Sequence, residues 1–229
     1  MNPKAVMIFA AGRGTRMGVL TEDRPKPLIE VAGRALIDHA LDVTQTVGPL
    51  TRVVNTHYRA EMLKAHLAGQ DVLFSDEPDV LLETGGGLRA ALPLLGKNPV
   101  FTMNSDAVWR GPNPLALLAG AWNPARMQAL LLLLPASAAI GHTGAGDFHI
   151  GPDGRLTRGP GLVYSGAQIL HTETLNLIPQ QVFSLNLLWD QMAGRGGLFG
   201  VTYPGEWCDV GRPESIALAT AILERADVS

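Results

Sequence analysis

Cysteine is almost absent from this chain of 229 residues, Cys208 being the only one. A lone cysteine excludes an internal disulfide framework and any metal site built from several thiolates. Charge is sparse as well: Asp, Glu, Lys and Arg make up 17%, the net charge is −3, and no basic tract exists. That argues against a non-specific nucleic-acid binder, which needs clustered Lys and Arg to neutralise phosphates. No apolar run comes near the ~20 residues that a membrane-spanning helix needs. The most apolar stretch, Ala129 to Leu134, stops at Pro135. The N-terminus lacks a basic segment followed by an apolar one and a small-residue cleavage site. No internal repeat or low-complexity linker interrupts the chain. These absences predict a soluble, cytoplasmic protein with neither a nucleic-acid nor a membrane partner. What is abundant is apolar surface, 46% of the residues. That suffices for one α/β domain and its core.

Short apolar runs alternate with amphipathic stretches, the pattern of an α/β fold with a largely parallel sheet. Ala5–Phe9 reads as the first strand, Thr51–Asn55 as the second and Asp71–Phe74 as the third. Val100–Met103 reads as a buried strand. Helices are predicted over Leu36–Val47, Arg59–Leu67 and Gly87–Leu94. After residue 134 the pattern changes. Asp147–Ile150, Arg155–Thr157 and Leu162–Leu170 read as antiparallel or mixed strands. Helical stretches follow at Thr174–Ile178 and Ser184–Met192, then a strand at Leu198–Tyr203 and a last helix at Pro213–Arg225. The reading is one domain: residues 1–134 form a parallel half, and residues 135–229 lay a lid or platform over the same sheet.

The segment with the most chemistry follows the first strand. It runs Phe9-Ala10-Ala11-Gly12-Arg13-Gly14-Thr15-Arg16-Met17 and continues to Pro25-Lys26-Pro27. Open α/β sheets bind ligands at the carboxyl ends of their strands. Gly12 and Gly14 let backbone N–H groups turn toward an anion. Arg13, Arg16, Arg24 and Lys26 add four cations to the same segment. Guanidinium forks and a lysine point charge together suit a triphosphate. A dinucleotide fingerprint fails because Met17 stands where the third glycine belongs, and no Gly-Lys-Ser/Thr exists for a Walker loop. The prolines on either side of Lys26 stiffen the backbone and so fix where its ammonium points.

Four more constellations stand out. In Glu83-Thr84-Gly85-Gly86-Gly87, glycine N–H groups could read a base edge or a phosphate, or the run could be a helix start capped by Thr84. Asn104-Ser105-Asp106 follows the buried strand, and Trp207-Cys208-Asp209-Val210-Gly211 ends another strand before a helix. Carboxylates at strand ends suit a hard divalent cation such as Mg²⁺. Tyr164-Ser165-Gly166 lies in a strand, where alternating polarity explains Ser165 as well as a substrate contact does, and Asp147 could reach the same pocket. The six histidines show no metal-ligand spacing, and His57, after Asn55-Thr56, is the one nearest the expected ligand edge. No G-x-S-x-G elbow supports a hydrolase triad.

The runs Gly12–Met17 and Pro25-Lys26-Pro27-Leu28 resemble the motif of the sugar-1-phosphate nucleotidyltransferases. The resemblance implies a Rossmann-like, mixed but mostly parallel sheet flanked by helices, binding a nucleoside triphosphate and a sugar 1-phosphate. It implies that Arg16 holds the triphosphate and Lys26 the reacting phosphates. It places Ala10, Ala11, Gly12, Arg13, Gly14, Thr15, Gly85 and Gly86 around the nucleotide. Glu83, Asn104, Asp147, Ser165 and Gly166 fall on the sugar side, and Asp106 with Asp209 hold Mg²⁺. Many relatives carry a β-helix domain, which is not expected here because no hexapeptide repeat is present. The compact members that the chain most resembles imply UTP and N-acetylmuramate 1-phosphate as substrates, and a monomer or small homo-oligomer. Arg110, Arg155 and Arg158 are the cations available to meet the carboxylate of such a sugar. GTP, CTP or dTTP with mannose or glucose 1-phosphate, and a regulatory homologue without activity, stay open as alternatives. Molybdopterin guanylyltransferases share a similar glycine-rich loop, but Pro25-Lys26-Pro27 and the Asp209 motif fit them less well.

Overall fold

The structure, a computed structural model, describes residues 2–96 and 98–225. In chain order the elements are β1 (Ala5–Phe9), β2 (Glu30–Val31), β3 (Arg34–Ala35), α1 (Leu36–Gln45), β4 (Thr51–Thr56), α2 (Ala60–His66), β5 (Leu73–Asp76), α3 (Glu83–Leu95), β6 (Val100–Asn104), β7 (Ala107–Arg110), α4 (Pro114–Ala121), β8 (Ala129–Pro135), β9 (Ala139–Ile140), β10 (Phe148–Ile150), β11 (Leu156–Arg158), β12 (Leu162–Leu170), α5 (Asn186–Gly194), β13 (Leu198–Thr202), β14 (Glu206–Asp209) and α6 (Glu214–Leu223).

A nine-stranded sheet carries the molecule. β5, β4, β1 and β6 lie side by side and parallel. β12 joins β6 antiparallel, β8 joins β12 antiparallel, and β13 runs parallel to β8. The start of β12 also pairs with the β10–β11 hairpin. That hairpin's turn docks on β13 through a Gly200 N–H donated to the Gly154 carbonyl at 3.0 Å. The expected parallel half and the expected antiparallel second half are therefore one sheet.

The apolar runs read as strands because both faces are covered. Val6 and Ile8 point to a cluster with Ile37 and Leu41 of α1, Leu63 of α2 and Leu115 of α4. Ala5 and Met7 point the other way, to Leu88 of α3 and Leu188 and Met192 of α5. All six residues from Ala129 to Leu134 are buried in β8. The helix predicted at 174–178 is a single 3-10 turn, Leu175–Leu177, and the third strand is shifted to Leu73–Asp76. A three-stranded sheet, β7–β14–β9, packs a third cluster containing Met17, Val108, Cys208, Val210 and Ile222. Cys208 is buried there, and burial, then the neighbouring Asp209 charge, pushes its thiol up to about 12.

A buried amide ties two strands to a helix inside the core. Gln168 is fully buried in β12; its amide donates to Thr102 Oγ1 at 3.0 Å, and its carbonyl accepts from Trp189 Nε1 at 2.8 Å. Gln168→Leu keeps the volume but leaves the Trp189 indole N–H without its acceptor. Stability should fall by roughly 1–3 kcal/mol, the usual cost of an orphaned buried donor. Denaturant unfolding checks this, and an unchanged midpoint would refute it.

Candidate active site

The carboxyl ends of β1 and β6 are laced together before any ligand group is placed. Ser105 donates both its hydroxyl, at 2.7 Å, and its N–H, at 3.2 Å, to the Phe9 carbonyl. Asp106 thereby sits beside the glycine loop that leaves β1. From the other side, β14 pairs with β7, setting Asp209 opposite Ala107, and Val210 N–H donates to the Asp106 carbonyl at 2.8 Å. Two aspartates from distant parts of the chain thus become neighbours.

Lys26 completes this corner. Held between Pro25 and Pro27, it is only 8% exposed, and its Nζ lies 2.7 Å from Asp106 Oδ2. Burial, and then the charge of Asp106, raises the Asp209 carboxyl above its ordinary value, while Lys26, Arg16 and His142 pull it back. Gly211 makes the approach possible: a Cβ there would stand 2.9 Å from Asp209 Oδ2 and 3.3 Å from the Arg16 guanidinium. The corner therefore holds two facing carboxylates under a lysine and an arginine. Oxygen donors that repel one another suit a hard divalent cation. Among the described residues no cluster of three or more His, Cys, Asp or Glu could hold a metal by itself. A cation here would complete its coordination with water and substrate oxygens.

Beside the corner opens a cleft of about 230 Å³, lined by Phe9, Ala11, Gly12, Asn55, Leu81, Glu83, Thr84, Asn104 and Asp106. Arg13, Thr15 and Arg16 are exposed on the loop around it. Glu83 faces it from a left-handed backbone, φ 60°. A non-glycine residue there costs roughly 1–3 kcal/mol and persists where its surroundings dictate it.

Those surroundings centre on Asn55 and Glu77. Asn55 Oδ1 accepts the Ala10 N–H at 2.7 Å, and its Nδ2 donates to Glu77 Oε1 at 2.7 Å. Glu77 Oε2 accepts the Leu82 N–H at 2.8 Å, and the side chain is buried. One buried pair thus ties the glycine loop to the segment carrying Glu83. His57 contributes through Nδ1, 2.6 Å from the Glu77 carbonyl, so its part is structural. Asn55 was legible only as a neighbour of His57. Glu77 stands in an acidic run, Asp76-Glu77-Pro78-Asp79, with no local mark to separate it from the others.

Several expectations need correction. Gly85 and Gly86 donate their N–H groups to the Phe183 carbonyl at 2.9 and 3.1 Å, so those donors are not free to read a base. The run is glycine for packing: a Cβ on Gly85 would strike the Phe183 ring, and one on Gly86 would lie 2.5 Å from the Gln181 carbonyl. Thr84 does not cap the helix, because α3 starts at Glu83 and the Thr84 hydroxyl accepts from Leu185 N–H at 3.0 Å. The Ala10 N–H is taken by Asn55. Ser165 is 1% exposed and donates its hydroxyl to the Leu132 carbonyl at 2.7 Å, beyond reach of a substrate. Asp147 accepts the Tyr164 N–H at 2.8 Å and so holds the β12 irregularity between Tyr164 and Gln168. Gly166, in that irregularity, lies against the Asn104 side chain. Of the three arginines, Arg110 pairs with Glu206 at 3.0 Å and Arg158 with Asp190 at 2.9 Å. Arg155 pairs with Asp153 at the hairpin turn.

The buried pair yields a prediction. Glu77→Ala leaves the Asn55 amide and the Leu82 N–H unpaired and should destabilise by about 2–6 kcal/mol, at roughly 1–3 kcal/mol for each orphaned donor. Glu77→Gln, which keeps one acceptor, should lose less. Equal unfolding midpoints for the two variants would contradict the assignment.

The comparisons agree with this geometry. Residues 6–137 match the MobA-like NTP transferase domain. The chain is 41% identical to the N-acetylmuramate alpha-1-phosphate uridylyltransferase of Caulobacter vibrioides, over 98% of each chain. It is 33% identical to the protein of the same name from Neisseria meningitidis, over 90% of this chain and 92% of that one. Among solved structures, HddC from Yersinia pseudotuberculosis complexed with GMP-PN superposes with a TM-score of 0.77, at 19% identity over 96% of this chain and 100% of that one. The inositol-1-phosphate CTP transferase from T. maritima superposes with 0.76, at 17% identity over 98% of both. The fold expected from the glycine loop is thus the fold found, and the chain belongs to the MobA-like NTP transferase family of nucleotidyltransferases.

Proposed function

We propose that the chain transfers the uridylyl group of UTP to N-acetylmuramate 1-phosphate, forming UDP-N-acetylmuramate and pyrophosphate in the reuse of cell-wall sugar. The chemistry rests on the meeting of Lys26, Arg16, Asp106 and Asp209 at one sheet edge. The substrate pair rests on 41% identity along 98% of a relative that carries that activity in its name.

A phosphate oxygen of the sugar 1-phosphate attacks the α-phosphorus of UTP. The bond from that phosphorus to the bridging oxygen breaks, and pyrophosphate departs with the electron pair. The nucleophile is anionic at neutral pH, so no general base is needed. The protein's task is alignment and charge neutralisation. Arg16, exposed on the loop, grips the β- and γ-phosphates. Lys26 stabilises the charge that develops on the α-phosphate. Ala11 and Gly12 offer backbone to the base, and Asn104 and Glu83 face the sugar phosphate. Asp106 and Asp209 would hold Mg²⁺, which when bound neutralises phosphate charge between the two substrates.

Three measurements test this reading. Lys26→Ala should lower kcat/KM about 100- to 1000-fold, the usual loss for a charged transition-state contact of about 2.7–4 kcal/mol; unaltered kinetics would make Lys26 a mere structural cation. Asp209→Asn should abolish most turnover yet leave the free protein at least as stable at neutral pH. The sign follows from the raised carboxyl: ionised Asp209 costs folding free energy above its folded value, and the cost vanishes below the ordinary 3.8. The variant's stability advantage should therefore shrink as pH falls, and a variant less stable at pH 7 would contradict it. For the substrates, pyrophosphate release measured across UTP, GTP, CTP and dTTP with several sugar 1-phosphates should peak with UTP and the muramate sugar. A maximum with glucose or mannose 1-phosphate would refute the sugar assignment and leave the reaction class standing.

A further inference from the structure

A second, larger cleft opens at the opposite edge of the sheet, and we infer that it binds a small molecule carrying a phosphate or diphosphate group. β12 runs antiparallel to β6, and β8 and β13 run parallel to β6. The end of β12 and the starts of β8 and β13 therefore lie far from Asn104 and Asp106. There Gln128, Arg126, Arg155, His171, Glu173 and Arg195 line a space of about 630 Å³. Pockets for small ligands run to roughly 300–1,000 Å³.

Two of the three guanidiniums are unused, and the third is anchored. The Arg126 guanidinium lies 5.3 Å from the centroid of the buried Phe199 ring, and that of Arg155 5.6 Å from it. Stacking on a ring fixes the plane of a guanidinium and leaves its N–H edge open to an oxyanion. Arg155 is further anchored by donating its Nε–H to the Gly196 carbonyl at 3.0 Å, and it pairs with Asp153. Among the described residues, the Arg126 and Gln128 side chains make no hydrogen bond, and the Arg195 side chain has neither a hydrogen bond nor an ion pair. In a chain of net charge −3, three arginines share this cleft with Glu173 as the one lining carboxylate. Asp153 already pairs with Arg155, and Glu173 lies 3.3 Å from His171, so Arg126 and Arg195 are the two guanidiniums left without an ion-pair partner among the described residues; a phosphate ester or diphosphate brings the two or more negative charges that match them.

Calorimetric titration of the full chain with pyrophosphate tests this apart from the substrate assignment. The wild type should bind two equivalents. R126E/R195E should bind one, with turnover unchanged, and Lys26→Ala should lose the other. If charge reversal lowers the melting temperature, R126Q/R195Q is read instead, with at least a tenfold loss of affinity at the second site. UDP displacing the second equivalent marks a nucleotide diphosphate as the natural source; UDP failing to compete marks free pyrophosphate. One equivalent in the wild type, or two in the arginine variants, overturns the proposal. Loss of turnover with both equivalents intact would count against the uridylyl-transfer reading alone.

Discussion

The Lys26–Asp106 ion pair is the contact on which the site depends. Lys26 is 8% exposed, and an ammonium leaves water at a cost that one exposed partner rarely repays. Here the partner is half-buried and backed by a second carboxylate, Asp209, whose charge repels Asp106. The lysine therefore relieves a repulsion as well as forming a bond. The same arrangement suits the chemistry proposed for the corner. A place that already demands a cation will accept the positive charge that polyphosphate requires.

That pair in turn requires the small sheet. Asp106 leaves β6 without a regular strand of its own, and Asp209 closes β14. Only the pairing of β7 with β14 brings them together. The sheet is held by apolar contacts of Val108, Cys208 and Val210 with Met17 of the glycine loop and Ile222 of α6. Loop, sheet and last helix thus form one packed unit. Trp207 adds a polar tie, donating its indole N–H to the Ser165 carbonyl at 3.0 Å, which joins this unit to β12.

Much of this was legible in the residues, for physical reasons. Ala5–Phe9 reads as a strand because a buried parallel strand must be apolar on both faces. Gly12, Arg16 and Lys26 could be singled out because glycines, guanidiniums and a proline-clamped lysine rarely stand together in so short a segment. Asp106 and Asp209 could be named from their places at strand ends. What stayed hidden was the ownership of donors. A glycine N–H looks the same in sequence whether it faces a ligand or a carbonyl, and only Phe183, far along the chain, decides that Gly85 and Gly86 belong to packing. Ser165 misled in the same way, because alternation in β12 makes any serine look like a substrate contact. Asn55 and Glu77 were hard to see because their partners come from three separate segments.

The glycine run still shapes the cleft, although its N–H groups face away from it. Without Cβ atoms, α3 can begin directly against Phe183 and Gln181, and Gly87 can lie against the Asn55–Glu77 pair, its missing Cβ standing 2.7 Å from Glu77 Oε1. The backbone just before the helix is then fixed at both ends, by Phe183 on one side and by Glu77 holding Leu82 N–H on the other. Glu83 lies between these anchors and takes the left-handed conformation that turns it toward the cleft. A methyl group added at Gly85 or Gly86 would strike Phe183 or Gln181, and so displace Glu83, which lines the cleft. Residues that pack and residues that bind are therefore not separable here: the tightness of one contact sets the aim of the other.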